Sequence, residues 1–151
     1  MKNIHHYTLS LQWSGDANLS SIRNDRLYRI DIAGKPSIEG SADVPFYGDP
    51  QLHNPEELLL SALSACHMMS YLYLCRKYKI EVLAYADDPK ARLKVNTDGS
   101  GQIEEVDLYP KVVLADKSRE SEANKLHLQA GKLCFIANSC NFSIAYFPKF
   151  E

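Results

Sequence analysis

The chain has 151 residues, 45% of them hydrophobic and 24% charged. These are ordinary globular proportions, and they exclude a disordered polypeptide. Seventeen Lys and Arg against nineteen Asp and Glu give a net charge of −2, which leaves no basic excess to neutralise phosphates and argues against a general nucleic-acid binder. The length is that of one domain spanning residues 1–151.

The first six residues, Met1-Lys2-Asn3-Ile4-His5-His6, lack the apolar stretch of a secretory signal. Tyr7, Leu9, Leu11 and Trp13 alternate with polar residues, which predicts a strand with one buried face, ended by Ser14-Gly15-Asp16. A second strand is expected around Tyr28, Ile30 and Ile32, stopped by Ala33-Gly34-Lys35-Pro36. Residues 37–53, with Gly40, Pro45, Gly48 and Pro50, read mainly as loop. Asn54-Pro55-Glu56-Glu57 is a strong helix start: Asn is a good N-cap, Pro suits the first helical position, and Glu57 stands where a capping-box acid belongs. This helix should run to about Tyr78.

From Leu58 to Cys75 there are eighteen residues without Asp, Glu, Lys or Arg, the lower limit for a membrane span. Ser61, Ser64, His67 and Ser70 recur every third residue. Each step of three turns the helix by about 300°, so these groups wind around the cylinder instead of forming one wet face. A lone span would leave His67 and three hydroxyls in hydrocarbon. A helix apolar on nearly all sides is otherwise buried, and a chain this short struggles to surround one. A homodimer with the helix near its shared centre is therefore expected, and no membrane partner.

Ile80, Val82 and Ala84 suggest a third strand, and Leu93 and Val95 a fourth. Asp98-Gly99-Ser100-Gly101 is turn chemistry, leading into a strand through Val106, Leu108 and Val112. Asp116-Lys117-Ser118 begins a second helix, whose Ala123, Leu126, Ala130, Leu133, Cys134 and Ala137 share one face. Phe142, Ile144 and Tyr146 form a last strand. Strand runs and helices are segregated, which predicts an α+β fold.

The four cysteines, Cys66, Cys75, Cys134 and Cys140, form no CxxC pair. Without a signal peptide they are expected to be reduced thiols in a cytoplasmic protein. A cysteine on an apolar helix face ordinarily fills the core, and an acid such as Glu56 ordinarily complements the helix dipole. Arg23 and Arg26 sit in a polar stretch between strands. His67 could ligate a metal with Cys66, Cys134 or His127, but no zinc spacing supports this, and no metal or other cofactor is expected.

Two segments change the weight of these readings. Asn54-Pro55-Glu56-Glu57-Leu58, continuing to Ala65-Cys66-His67, resembles the signature helix of the OsmC/Ohr proteins, the osmotically induced and organic-hydroperoxide-resistance family. His127-x-x-Ala130-x-x-x-Cys134-Phe135-Ile136-Ala137-Asn138-Ser139 resembles the second cysteine helix of its OsmC-like branch, and Ser37–Pro50 also looks like that branch. The resemblance implies an intertwined homodimer of antiparallel sheets packed around a long buried helix. It further implies a thiol peroxidase that reduces organic hydroperoxides to alcohols in oxidative-stress defence.

Carried over residue by residue, Cys66 is the peroxidatic thiolate and Cys134 the resolving thiol. Their disulfide is reduced by an external dithiol, a lipoyl-type dithiol being one such. A guanidinium would stabilise the thiolate and hold the peroxide, oriented by a carboxylate. The resemblance makes Glu56 the carboxylate and Arg26 the best match for the arginine, with Arg23 close by. Ten residues of straight helix separate Glu56 from Cys66 by about 15 Å. Either an Arg bridges part of the gap, the helix begins later, or the Glu comes from the other subunit. The last agrees with a buried helix that demands a dimer, and a site built from both subunits is the expectation. Three features depart from the family pattern: Phe135 after Cys134 where a proline is common, His67 where Phe is common, which suggests a wetter pocket, and Cys140 as a rival resolving thiol. The alternatives are a non-enzymatic dimer binding an apolar ligand and, ranked last, a hot-dog thioester hydrolase, which wants an acid inside the helix.

Overall fold

The computed structural model describes residues 3–14 and 24–151. Arg23 and the turn after Ser14 lie outside the described residues. The chain forms two compact units, residues 1–58 and 59–151.

In the first unit, β1 (Ser10–Gln12) pairs antiparallel with β2 (Tyr28–Asp31), which pairs antiparallel with β3 (Ile38–Gly40). Residues 37–53 are mainly loop, as expected, apart from β3 and a 3₁₀ turn at Val44–Phe46. Three residues are too few for a periodic signal. The strand forms because Tyr28 lies opposite Gly40 and covers it so closely that a Cβ there would sit 2.2 Å from the tyrosine ring. The Tyr28 hydroxyl donates to the His53 carbonyl at 3.3 Å, and Ser41 N–H donates to the same oxygen at 2.9 Å. The buried face expected for the first strand is not found among the described residues: Tyr7, Leu9, Leu11 and Trp13 are all exposed.

Helix α1 (Pro55–Lys77) begins with the reciprocal pair its sequence predicts. Glu57 N–H donates to Asn54 Oδ1 at 2.8 Å, and Asn54 N–H to Glu57 Oε2 at 3.3 Å. It ends where Lys79 turns left-handed at φ 57°. There Ile80 N–H reaches back to the Cys75 carbonyl and Lys79 N–H to that of Arg76, satisfying two carbonyls that would otherwise lack partners.

The second unit holds two three-stranded sheets. One has β4 (Val82–Asp87), β7 (Pro110–Leu114) and β9 (Lys149–Phe150) in that order; the other has β5 (Lys90–Val95), β6 (Gly101–Leu108) and β8 (Ser143–Tyr146). The β4–β7 and β5–β6 pairs are antiparallel, while β8 adds parallel to β6 and β9 parallel to β7. The fold class is α+β, with mixed sheets. The single strand expected through Val106–Val112 is two strands in two sheets. The chain breaks at Tyr109-Pro110, where proline has no N–H to donate and Tyr109 N–H is taken by Asp87 Oδ1 at 2.7 Å.

Helix α2 (Glu120–Leu133) stops four residues short of Ala137, the last position of its predicted face. Cys134 has extended backbone (φ −70°, ψ 110°), and a 3₁₀ turn follows at Ala137–Ser139. Two apolar clusters fill the unit. Tyr71, Leu74 and Cys75 of α1 pack with Ile80, Val112, Leu114, Ala123, Leu126 and Ala130. Leu63, Val106, Leu108 and Cys134 form the second, flanked by Cys66, Ile144 and Tyr146.

The buried residues of α1 are Leu63, His67, Tyr71, Leu74 and Cys75, a single stripe. Although α1 is long and apolar enough to cross a membrane by length and composition, only this stripe of it is fully buried. On its other side Met69 and Tyr73 are each 60% exposed.

Candidate active site

The second apolar cluster brings the two motif cysteines together. Cys66 projects from the middle of α1 and is half-buried; Cys134, just past the end of α2, is fully buried. Burial pushes the Cys134 thiol up, as does donation of its S–H to Cys66; with Cys66's charge added, it rises to about 11. Two backbone N–H groups work the other way. Ala137 N–H donates to Cys134 Sγ at 3.4 Å, and Ile136 N–H also faces the sulfur. The two thiols therefore lie within hydrogen-bond reach of each other, with Cys134 the more deeply buried. All four cysteines are free.

The other two cysteines stand apart from this pair. Cys75 belongs to the first cluster, where burial raises its thiol and the Tyr71 hydroxyl partly offsets this. Cys140 follows the 3₁₀ turn, and its thiol is likewise raised by burial. Cys134, and not Cys140, is the thiol placed against Cys66.

His67 does not wet a pocket, contrary to its sequence reading. It is fully buried, and its Nε2 lies 3.1 Å from Nδ1 of the equally buried His127. Burial pushes His67 down to about 4. His127 falls to about 3 through burial and its histidine neighbour, so both rings are neutral near pH 7. Tyr146 stacks on His67 at 4.5 Å between centroids, and Tyr71 on His127 at 3.9 Å. Among the described residues, His67 Nδ1, His127 Nε2 and the Tyr85 hydroxyl have no hydrogen-bond partner. Sequence reasoning brought the two histidines together only as possible metal ligands and missed their hydrogen bond. The available signal was that each cysteine motif carries one histidine, adjacent to Cys66 in one and seven residues before Cys134 in the other. Among the described residues no three His, Cys, Asp or Glu side chains converge to hold a metal ion.

Arg26 and Glu56 both belong to the first unit. Arg26 closes the 3₁₀ turn Asn24–Arg26 and is exposed; Glu56 lies in the first turn of α1 and is half-buried. Among the described residues they form no ion pair with each other. Glu56 acts on Tyr28, whose hydroxyl pKa is raised by burial and then by the carboxylates of Glu56 and Glu57. Glu56 and Cys66 share one unbroken helix, ten residues and about 15 Å apart.

Solved structures share this arrangement of elements. An OsmC-like protein of unknown function from Vibrio cholerae is 25% identical with a TM-score of 0.85, covering 97% of this chain and 100% of that one. An organic hydroperoxide resistance protein from Elizabethkingia anophelis is 19% identical with a TM-score of 0.74, both chains fully covered. One from Legionella pneumophila is 16% identical with a TM-score of 0.71, over 98% and 99% of the chains. No curated protein sequence matches the chain. The family profile described as OsmC-like protein matches residues 48–145, a span that holds both cysteine motifs. By that match over most of its length, the chain belongs to the OsmC-like protein family.

Proposed function

We propose that this protein is a cysteine-based peroxidase that reduces organic hydroperoxides to alcohols. The observation that carries the reading is that Cys66 of α1 and Cys134, just past α2, meet in one apolar cluster within hydrogen-bond reach of each other. The Cys66 thiolate attacks the distal oxygen of ROOH. The O–O bond breaks, ROH leaves with a proton, and Cys66 becomes a sulfenic acid. Cys134 then attacks the Cys66 sulfur and expels water, giving the disulfide. Ala137 and Ile136 N–H groups face the Cys134 sulfur, so they stabilise the thiolate needed for that step. An external dithiol restores both thiols by exchange, and a reducing compartment such as the cytoplasm suits this cycle.

The acting form is a homodimer. The uncovered side of α1 and the exposed apolar alternation of Leu9, Leu11 and Trp13 are surfaces that a second copy would bury. In that dimer each site takes Cys66 and Cys134 from one chain and Arg26 and Glu56 from the other. The test is oxidation of the reduced protein with one equivalent of cumene hydroperoxide, followed by peptide mapping. Loss of two thiols with a Cys66–Cys134 linkage, absent in Cys66→Ser, supports the proposal. Thiols that survive excess peroxide refute it and favour a ligand-binding dimer.

A further inference from the structure

Disulfide formation sets a strict demand on the two helices. Two sulfurs in thiol contact must close to about 2.05 Å, with Cα atoms roughly 4.4–6.8 Å apart. What fixes the spacing of α1 and α2 near the cysteines is therefore a functional matter, and one side chain stands at both. The Tyr146 ring stacks on His67, the residue after Cys66, with centroids 4.5 Å apart and planes 25° from parallel. Its hydroxyl end lies against Gly131, one turn before Cys134. A Cβ at position 131 would sit 2.4 Å from Tyr146 Oη and 2.9 Å from Cζ. Tyr146 also borders the apolar cluster that holds both cysteines.

Gly131 is otherwise hard to explain. It lies inside α2, where glycine costs about 0.5–1 kcal/mol relative to alanine, and its φ is not among the positive values. Neither a turn nor a left-handed conformation requires it; the approach of the tyrosine does.

We propose that Tyr146 is a positioning residue: wedged between His67 and Gly131, it sets the gap across which Cys66 and Cys134 form their disulfide. The ring supplies thickness, the missing Cβ of Gly131 lets α2 come close, and the buried His67 gives the ring a fixed wall. His67 is itself held by its hydrogen bond to His127 on α2, so ring and hydrogen bond together clamp the two helices. The inference rests on the peroxidase reading for its purpose, but not for its test.

The test is the thiol–disulfide equilibrium of the intact protein in mixtures of reduced and oxidised dithiothreitol, without peroxide. Oxidised dithiothreitol accepts the electrons of the two thiols, and the Cys66–Cys134 linkage is quantified by peptide mass. Gly131→Ala should shift the equilibrium towards the dithiol by about tenfold or more, since a distorted disulfide is more reducible. Adding Tyr146→Phe, which removes the atom in closest conflict but keeps the ring carbon 2.9 Å from the new Cβ, should recover part of that shift. Thermal unfolding of the reduced proteins provides the control for folding. Helix propensity alone would make Gly131→Ala more stable and leave the equilibrium unchanged, and that result overturns the proposal, as does a shift that Tyr146→Phe does not reduce. If the proteins behave as stated but ignore hydroperoxide, the spacing role stands and the peroxidase reading fails.

Discussion

Lowering the pH from 7 to 5 should destabilise this protein through the buried His67–His127 pair. In the unfolded chain each imidazole takes up a proton as the pH falls through about 6.5. In the folded chain the two rings resist protonation until about 4 and about 3. The unfolded state therefore binds more protons across this window. Stability contributed by the pair is present above pH 6.5 and is lost as the pH falls towards the folded values. Integrated from pH 7 to 5, the loss is about 2 kcal/mol for each histidine, or about 4 kcal/mol for the pair. That is a large share of the 5–15 kcal/mol typical of a domain.

The neighbouring ionisable groups do not interfere. Tyr71, Tyr85, Tyr146, Cys75 and Cys134 are all pushed upward, away from this window. The assay is urea unfolding at several pH values between 5 and 7, for the wild type and for His67→Gln/His127→Gln. The variant keeps a polar pair but cannot titrate, and it retains His5, His6 and His53. Its stability should be flatter than the wild type by about the stated amount. Equal slopes for the two proteins, or a wild-type loss under about 1 kcal/mol, would refute the reasoning.

Three further outcomes are expected. Asn54→Ala removes the acceptor for Glu57 N–H and should cost about 1 kcal/mol, read as a lower denaturation midpoint. Arg26→Met should slow thiol loss to cumene hydroperoxide about 10²-fold, the usual effect of removing a donor to developing charge, whereas Arg23→Met should stay near wild type; the reverse order moves the site arginine to position 23. Met69→Lys/Tyr73→Lys places charges on the exposed side of α1 and should turn a sedimenting dimer into monomer without altering the far-ultraviolet circular dichroism.

Elements defined by local chemistry were legible in the sequence. Asn54-Pro55-Glu56-Glu57 predicted the start of α1 because a capping box is satisfied within four residues. The pairing of Cys66 with Cys134 came from two motifs in order, and the structure places these thiols together. What escaped depends on distant partners. The three-residue β3 is held by its pairing with β2, where Tyr28 lies opposite Gly40, and by the bridge from Gly40 to His53. The split at Tyr109-Pro110 reflects two sheets competing for one apolar run. His67 was misread because its environment is set by His127, sixty residues away. The exposed face of β1 and the outer side of α1 carry the pattern of buried surfaces that a single chain leaves open.

The parallel strands β8 and β9 have a consequence for assembly and breakage. Glu105 pairs with Ser143, and Lys111 with Lys149. Both sheets thus receive their third strand from one short segment that arrives only after α2 has been laid down. A protease cut between α2 and β8 that released this segment would unzip both sheets at once. It would turn β6 and β7 into bare edges carrying Val106, Leu108 and Val112, all buried in the intact chain and well suited to pair with another molecule. Nicking there should therefore lead directly to aggregation, with no trimmed but still folded product along the way.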